Sequence, residues 1–480
     1  MTKVNRYKHY IIALAIAILI LVFVPPANGL TRMGVHVLAV LVPILYLWVL
    51  GIMDWTSLLC CAGLIITGVM SAAAVWQGSI GSTVFILVLV CMVLNNLLRK
   101  HGITENVARW FVTRKIVKGR PYMFITMFLF SNFILGFVLE PLALTITYIM
   151  IAEAFLKEMG YQKGERFYTA VMLSLLWINS ISAMNTPIST ALPLFLMNQV
   201  YTVHGVYISW LQWMSVGIPY SILAFAVMLI VIRFFWKIDT TKYASYDIEK
   251  AKSEMKKLTP EGKLTAVLSI MVIVVWLFPE FTNLFGVLPG ITSAMRSVGF
   301  AVPPIIAISI MCIVHINDKP VAVFKEVTTD IPLGVLFFLG AILLFGSAFN
   351  NPDAGINAAL VNIFRPITEG LNPFILVGII LVFAQILTKF IAITVTMLVF
   401  TSIALPILAG SGLSLGGVTI VIGLAAGLGA LVPSSTVTAP LLFGPGHITF
   451  ANSWKHNLLY LVLMYAPMVF ILFPLANAIV

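Results

Sequence analysis

Apolar runs recur along the whole chain, at 10–29, 34–52, 56–76, 81–98, 122–155, 166–198, 209–235, 264–285, 298–315, 331–350, 373–409, 414–445 and 457–479, with short polar stretches between them. A helix needs about 20 apolar residues to cross a bilayer, so this pattern predicts a polytopic helical bundle. Two runs are too long for one crossing. The run at 122–155 carries Glu140-Pro141 at its middle, and the run at 373–409 carries Lys389. A proline or a charge at the midpoint of an over-long apolar stretch predicts a re-entrant helical hairpin, which is tolerated only where protein or water satisfies the broken backbone.

Composition removes the soluble alternatives. Of 480 residues, 61% are apolar and 9% charged, against about 25% charged in a soluble domain. No large soluble domain fits beside the apolar runs, and disorder is excluded by the same runs. The first run follows Lys3, Arg6 and Lys8 as a signal peptide would, but it is long and everything after it is also apolar, so it reads as the first transmembrane helix. The net charge of +11 is an orientation signal and not a nucleic-acid footprint. With a cytoplasmic N-terminus and both hairpins entering and leaving on one side, 24 basic residues fall in the cytoplasm, three (Arg32, Arg296, Arg365) fall outside, and Lys389 stays within the second hairpin. This places the chain in the cell membrane as a multi-pass protein. The four cysteines sit in apolar runs without metal-type spacing, and the histidines lie near segment ends. Trp210 and Trp213 fit an interfacial belt, and Gly423 with Gly427 fits a close helix contact.

The two hairpins repeat each other. Glu140 is followed by Pro-Leu-Ala143-Leu144-Thr145-Ile146-Thr147, and Lys389 by Phe-Ile-Ala392-Ile393-Thr394-Val395-Thr396. The next run in each half holds a Ser/Thr/Pro-rich interruption, at 179–193 and at 433–440. A hairpin followed by a broken helix, once per half and from opposite sides, marks an inverted-topology repeat with a substrate site at the midplane. The expected fold is an all-α polytopic membrane protein of two inverted repeats, with about 11 transmembrane helices plus two hairpins. Its parts are scaffold helices at 1–121, the hairpin, broken helix and following helix of repeat 1 at 122–236, a cytoplasmic linker at 237–263, scaffold helices at 264–372, and the hairpin, broken helix and last helix of repeat 2 at 373–480. Hydroxyls and freed N–H groups at the breaks suit carboxylate or sulfate oxygens. Against that stands the habit of membrane Ser and Thr of bonding back one turn. An embedded enzyme has no support in the motifs, since there is no HExxH, P-loop or intramembrane Asp pair; an anion channel is the nearer rival.

At these residues the chain resembles the divalent anion:sodium symporter (DASS) family of dicarboxylate, citrate and sulfate carriers. The run Asp330-Ile-Pro-Leu-Gly-Val-Leu-Phe-Phe-Leu-Gly-Ala is similar to that family's IPWGVLLLFGGG segment. Leu387-Thr-Lys-Phe-Ile-Ala-Ile-Thr-Val-Thr is similar to LTEFTSNTAT, and Val432-Pro-Ser-Ser-Thr-Val-Thr-Ala-Pro-Leu-Leu-Phe-Gly to LPVATPPNAIVFG. The resemblance implies a mobile transport domain of hairpins and broken helices, a scaffold that forms a homodimer, and elevator-like alternation that carries a small-molecule dianion without any resident cofactor.

The departures carry their own message. The family's Ser-Asn-Thr tips are Ala143-Leu144-Thr145 and Ala392-Ile393-Thr394 here, so side-chain oxygens suited to sodium are gone from both. That speaks against the family's usual sodium sites and for proton coupling or exchange, with Na+ and H+ both open and carbonyls near Met184 and Pro433 still available. The expected substrate-binding residues are Thr145, Thr147, Asn185, Thr186, Thr394, Thr396, Ser435 and Thr436, with Ser189, Thr190, Ser434 and Thr438 beside them. Glu140 and Lys389 are the expected coupling or charge residues. Glu140 would take up a proton, and the Lys389 ammonium would stand in for a bound cation; a structural ion pair or snorkelling is the alternative for Lys389.

Overall fold

The computed structural model describes residues 3–480 apart from 51, 247, 254–256, 288, 330, 350, 369, 392 and 434. Asp330, Ala392 and Ser434 therefore lie outside the described residues. The regular structure of the described residues is helical, except for one strand pair, His315–Ile316 against Lys319–Pro320. That pair is turned by Asn317 and Asp318 at φ 52° and 60°, a left-handed conformation that Asn and Asp tolerate better than other side chains.

Both over-long runs fold back as hairpins. The first pairs helix Pro121–Leu135 with helix Pro141–Glu158. The break falls there because Pro141 disfavours helical backbone in the residue before it. Glu140 is accordingly extended, and its carboxylate caps the second arm by accepting from the Ala143 N–H at 3.1 Å. The second hairpin pairs Pro373–Leu387 with Ile393–Leu408, and Thr388 to Ile391 lie between the two arms.

Each hairpin is followed by a broken helix. In the first half, Arg166–Asn185 stops before Pro187, and Ala191–His204 starts from a Thr190 cap on the Leu192 N–H. In the second half, Leu415–Ala426 is followed by a longer break and a helix of only five residues, Ala439–Phe443. A long apolar helix then closes each half, Trp210–Phe235 and Phe450–Ile479. A short amphipathic helix precedes each hairpin, Ile103–Val112 and Ile356–Thr368. The second half thus repeats the order of the first. Among the described residues, five helices are long and apolar enough to cross a membrane, and shorter apolar helices, the hairpin arms among them, accompany these.

The leading halves of the two broken helices form the centre of the molecule. Phe167 to Asn185 and Gly416 to Ala426 are buried without exception. Met184 of the first packs against Gly423 and Gly427 of the second, where a Cβ on Gly427 would come within 2.6 Å of the Met184 side chain. The glycine pair is a close contact between halves, as its spacing predicts.

Two expectations change, and the linker is anchored. The run at 56–76 is two helices, Asp54–Ile66 and Ala72–Gly78, because Gly68 turns the chain at φ +71°. Trp210 and Trp213 do not form a belt: both are buried, Trp210 stacked on Phe300 and Trp213 donating its indole N–H to the Met184 carbonyl at 2.9 Å. The linker is not a freely solvated loop. Tyr243 is buried and donates to the Val117 carbonyl at 2.8 Å, its ring and that of Tyr246 pack on Phe124, and Lys242 pairs with Glu165 at 2.6 Å.

Candidate functional site

Both hairpin tips and both breaks meet around one open cavity. The first hairpin contributes Glu140 and Pro141, and the first broken helix contributes Asn179, Ser180 and the break from Pro187 to Thr190. The second hairpin adds Ile393 and Thr394, and the second break adds Thr436 to Thr438. A further wall comes from helix Thr83–Lys100, through Leu87, Val88, Cys91 and Met92, and from helix Leu333–Phe349, through Val335, Phe338, Leu339 and Ile342. That wall carries no oxygen or nitrogen in its side chains. Glu140 is the one charged side chain among the described residues lining the cavity.

Of the ten residues expected in the site, the structure brings Glu140, Thr394 and Thr436 to the cavity wall. Thr145 and Thr147 bond back one turn, to Pro141 O at 2.7 Å and Ala143 O at 3.0 Å, and Ser435 bonds to Val432 O at 2.6 Å. These follow the back-bonding pattern that competes with any ligand role. Thr186 instead ties the first break to the first hairpin, donating to Phe137 O at 2.7 Å. Asn185 is fully buried with its amide N–H₂ unpartnered, and Thr396 is fully buried with an unpartnered hydroxyl; neither lines the cavity.

Lys389 is the largest surprise. It does not snorkel and, among the described residues, pairs with no acid: it is 3% exposed and its ammonium donates to the Leu428 carbonyl at the end of helix Leu415–Ala426. Neighbouring carbonyls on that stretch are engaged as well. Thr388 donates to Ala426 O at 2.6 Å, and the Ser180 hydroxyl reaches Gly429 O at 2.8 Å. Thr388 presses so closely on Gly429 that a Cβ there would meet its carbonyl oxygen at 2.8 Å. The equivalent end of helix Arg166–Asn185 is closed in the same way. Ser189 donates to Ser182 O at 2.8 Å, Thr190 to Ala183 O at 2.6 Å, and the indole of Trp213 to Met184 O. Hydroxyl, indole and ammonium donors each take one lone pair of these carbonyls.

Sequence reasoning missed the polar groups buried inside the first arms. Asn132 has neither amide atom partnered, Gln385 has neither, and the Asn179 Oδ1 and the Ser182 hydroxyl are also unpartnered. An unpaired buried polar group costs about 1–3 kcal/mol. The available signal was an amide in an otherwise apolar run.

The model of the family described as the sodium:sulfate symporter transmembrane region matches residues 5–475. The sodium-dependent dicarboxylate transporter SdcS of Staphylococcus saprophyticus is 26% identical over 368 residues, covering 73% of this chain and 67% of that protein. An uncharacterized transporter of Haemophilus influenzae is 19% identical over 326 residues, covering 68% of this chain and 66% of that one. The chain thus spans about two thirds of the length of these relatives. Among solved structures, the Alcanivorax borkumensis YdaH transporter superposes with a TM-score of 0.57 at 12% identity, covering 92% of this chain and 98% of that one, which is a likeness of fold.

Proposed function

The chain belongs to the sodium:sulfate symporter transmembrane family, and on that premise we propose that it is a secondary active transporter of small dianions, di- or tricarboxylate or sulfate, coupled to protons or to exchange and not to sodium. The observation that carries this reading is the convergence of two hairpin tips and two helix breaks on a single cavity. Hydroxyls and freed helix-end N–H groups at such a meeting point receive anion oxygens without a buried cation. The SdcS relative is named as a dicarboxylate transporter, which supports the substrate class.

Coupling is read from the charges. Glu140, the one charged side chain among the described residues lining the cavity, is the proton carrier of this reading. The tips Ala143-Leu144-Thr145 and Ala392-Ile393-Thr394, which lack the family's Ser and Asn oxygens, speak against sodium, even though the SdcS relative is named as sodium-dependent. Lys389 supplies at the second tip the positive charge that a cation would otherwise bring. In this reading the hairpins and broken helices move as a transport domain against scaffold helices in an elevator-like stroke. The protein works as a homodimer in the cell membrane, with its N-terminus in the cytoplasm.

Reconstitution in liposomes tests the reading. Uptake of a dicarboxylate is expected to follow an inward proton gradient or a counter-substrate and to persist when sodium is replaced by choline. Glu140→Gln is expected to flatten the dependence of uptake on pH. A strict sodium requirement, together with an unchanged pH profile in Glu140→Gln, overturns the coupling.

A further inference from the structure

Away from the central cavity, the first hairpin and the helix that closes its half bound a groove, lined by Tyr122, Ile125 and Thr126 on one side and by Leu229, Ile230 and Arg233 on the other. The Arg233 guanidinium lies over the Tyr122 ring, 4.1 Å from its centre. Such a stack occupies the face of the guanidinium and leaves the N–H donors at its edge open. Neither these donors nor the Tyr122 hydroxyl have an acceptor among the described residues, whereas the Thr126 hydroxyl is spent on Tyr122 O at 2.8 Å. The two stretches that bound the groove, 118–126 and 229–237, hold Lys118, Arg120, Arg233 and Lys237 and no acid.

Depth in the bilayer fits a headgroup. The span Trp210–Phe235 has 26 residues, so at 1.5 Å per residue it is about 39 Å long, against a hydrocarbon core of about 30 Å. Arg233, in its last turn, stands at headgroup level, while Ile230 and Phe234 beside it are exposed where acyl chains run. The second half has the same joint without the charge. Pro373-Phe374 opens its hairpin as Pro121-Tyr122 opens the first, and the Phe374 ring packs on Phe473 with centres 4.8 Å apart. Phe473 follows the π turn Met468–Leu472 of the last helix, and Arg233 lies within the corresponding turn, Val231–Phe235. Joining a hairpin arm to its closing helix therefore needs no charge. The cation and open hydroxyl of the first joint are left for an anion.

We propose that this groove binds an anionic phospholipid. Its phosphate accepts from the Arg233 guanidinium and the Tyr122 hydroxyl, and an acyl chain lies along Ile125, Leu229 and Ile230. A planar guanidinium suits two phosphate oxygens at once, and each cation near an anionic membrane surface is worth about fivefold in affinity. The site is separate from the central cavity and does not depend on which anion is carried there.

The test uses the full chain purified in a nonionic detergent, with native mass spectrometry and melting temperature followed as phosphatidylglycerol, phosphatidylcholine or glycerol 3-phosphate is added. Phosphatidylglycerol is expected to bind at least about fivefold more tightly than phosphatidylcholine and to raise the melting temperature, and soluble glycerol 3-phosphate to do neither. Arg233→Gln is expected to abolish the preference and Tyr122→Phe to weaken it, while Lys325→Gln, at an exposed cation on helix Phe324–Thr329, leaves it intact. An equal loss in Arg233→Gln and Lys325→Gln makes the preference a general effect of surface charge and overturns the site. Equal binding of the two lipids overturns it as well, as does stabilisation by glycerol 3-phosphate alone. Should Arg233→Gln fail to fold, Arg233→Lys keeps the charge and loses the planar fork; a loss of at least about threefold is expected, and an unchanged preference overturns the proposal.

Discussion

The two hairpin tips share an Ala-x-Thr-x-Thr frame and differ in the charge ahead of it, and the structure uses the two charges in opposite ways. Glu140 stays with its own hairpin, capping the second arm, and shows its carboxylate to the cavity. Lys389 turns away from the cavity and joins its hairpin to the neighbouring broken helix through the Leu428 carbonyl, beside the Thr388 bond to Ala426 O. The first hairpin is also tied to its broken helix, but by a hydroxyl from the break, Thr186 to Phe137 O. A repeat that places equivalent positions in the two hairpins has thus been split into a cavity-facing acid and a base bonded to the backbone. Sequence symmetry locates the site, and the broken part of the symmetry says what each half does there.

Replacing the base tests that division most severely. Burying an ammonium at membrane depth costs about 2.5–3.5 kcal/mol, whereas leaving the Leu428 carbonyl unpaired costs about 1–3 kcal/mol. Lys389→Met, similar in length and apolar, is therefore expected to melt at or above the temperature of the unaltered protein in detergent while uptake falls at least tenfold. A variant that is both less stable and fully active makes Lys389 a structural tie and removes its role as built-in cation.

The packing around the second tip gives a smaller effect that acts on stability first. A side chain at Gly429 has nowhere to go, since its Cβ would meet the Thr388 carbonyl oxygen at 2.8 Å and the hydroxyl at 2.9 Å. Overpacking of this kind costs about 1–3 kcal/mol, so Gly429→Ala is expected to lower the melting temperature and to loosen the second hairpin. Protease accessibility near Thr388, compared with that near Gly136 in the first hairpin, reads out the difference. Equal protection of both tips in the variant counts against the second hairpin being the one held by its neighbour.

Much of this architecture is legible from periodicity because the bilayer punishes irregular backbone. An over-long apolar run with Glu140-Pro141 or Lys389 in it has few other ways to fold, and both breaks fall where those residues stand. Glu140, Thr394 and Thr436 at the cavity were readable for the same reason. The partners of the hydroxyls were not. Whether a threonine bonds back to Pro141, as Thr145 does, or remains open, as Thr394 does, depends on which face of the helix meets a neighbour. No spacing within one run encodes that. The direction of Lys389 was hidden likewise, because its acceptor lies 39 residues away in another helix. The Gly68 turn and the buried Trp210 and Trp213 were misjudged because hydropathy does not distinguish a lipid-facing residue from one facing protein.

The linker extends the contrast between the halves, for most of its contacts here fall on the first, beside one bond from Asn317 of the second half to Glu261. The Tyr161 hydroxyl donates to Asp239 O at 2.9 Å, Lys250 lies 3.2 Å from Glu158, and the Tyr243 hydroxyl reaches Val117 O just ahead of the first hairpin. The exposed ion pairs contribute little. The buried phenol bond is the part with measurable weight, because Tyr243→Phe leaves the Val117 carbonyl without this donor while keeping the ring packing on Phe124. The expected loss is about 1 kcal/mol, seen as a modest fall in melting temperature with uptake nearly unchanged. Hydrogen exchange should rise in helix Pro121–Leu135 and not in helix Pro373–Leu387. If exchange rises equally in both hairpins, the linker couples the two halves rather than belonging to the first, and the asymmetry between the tips needs another source.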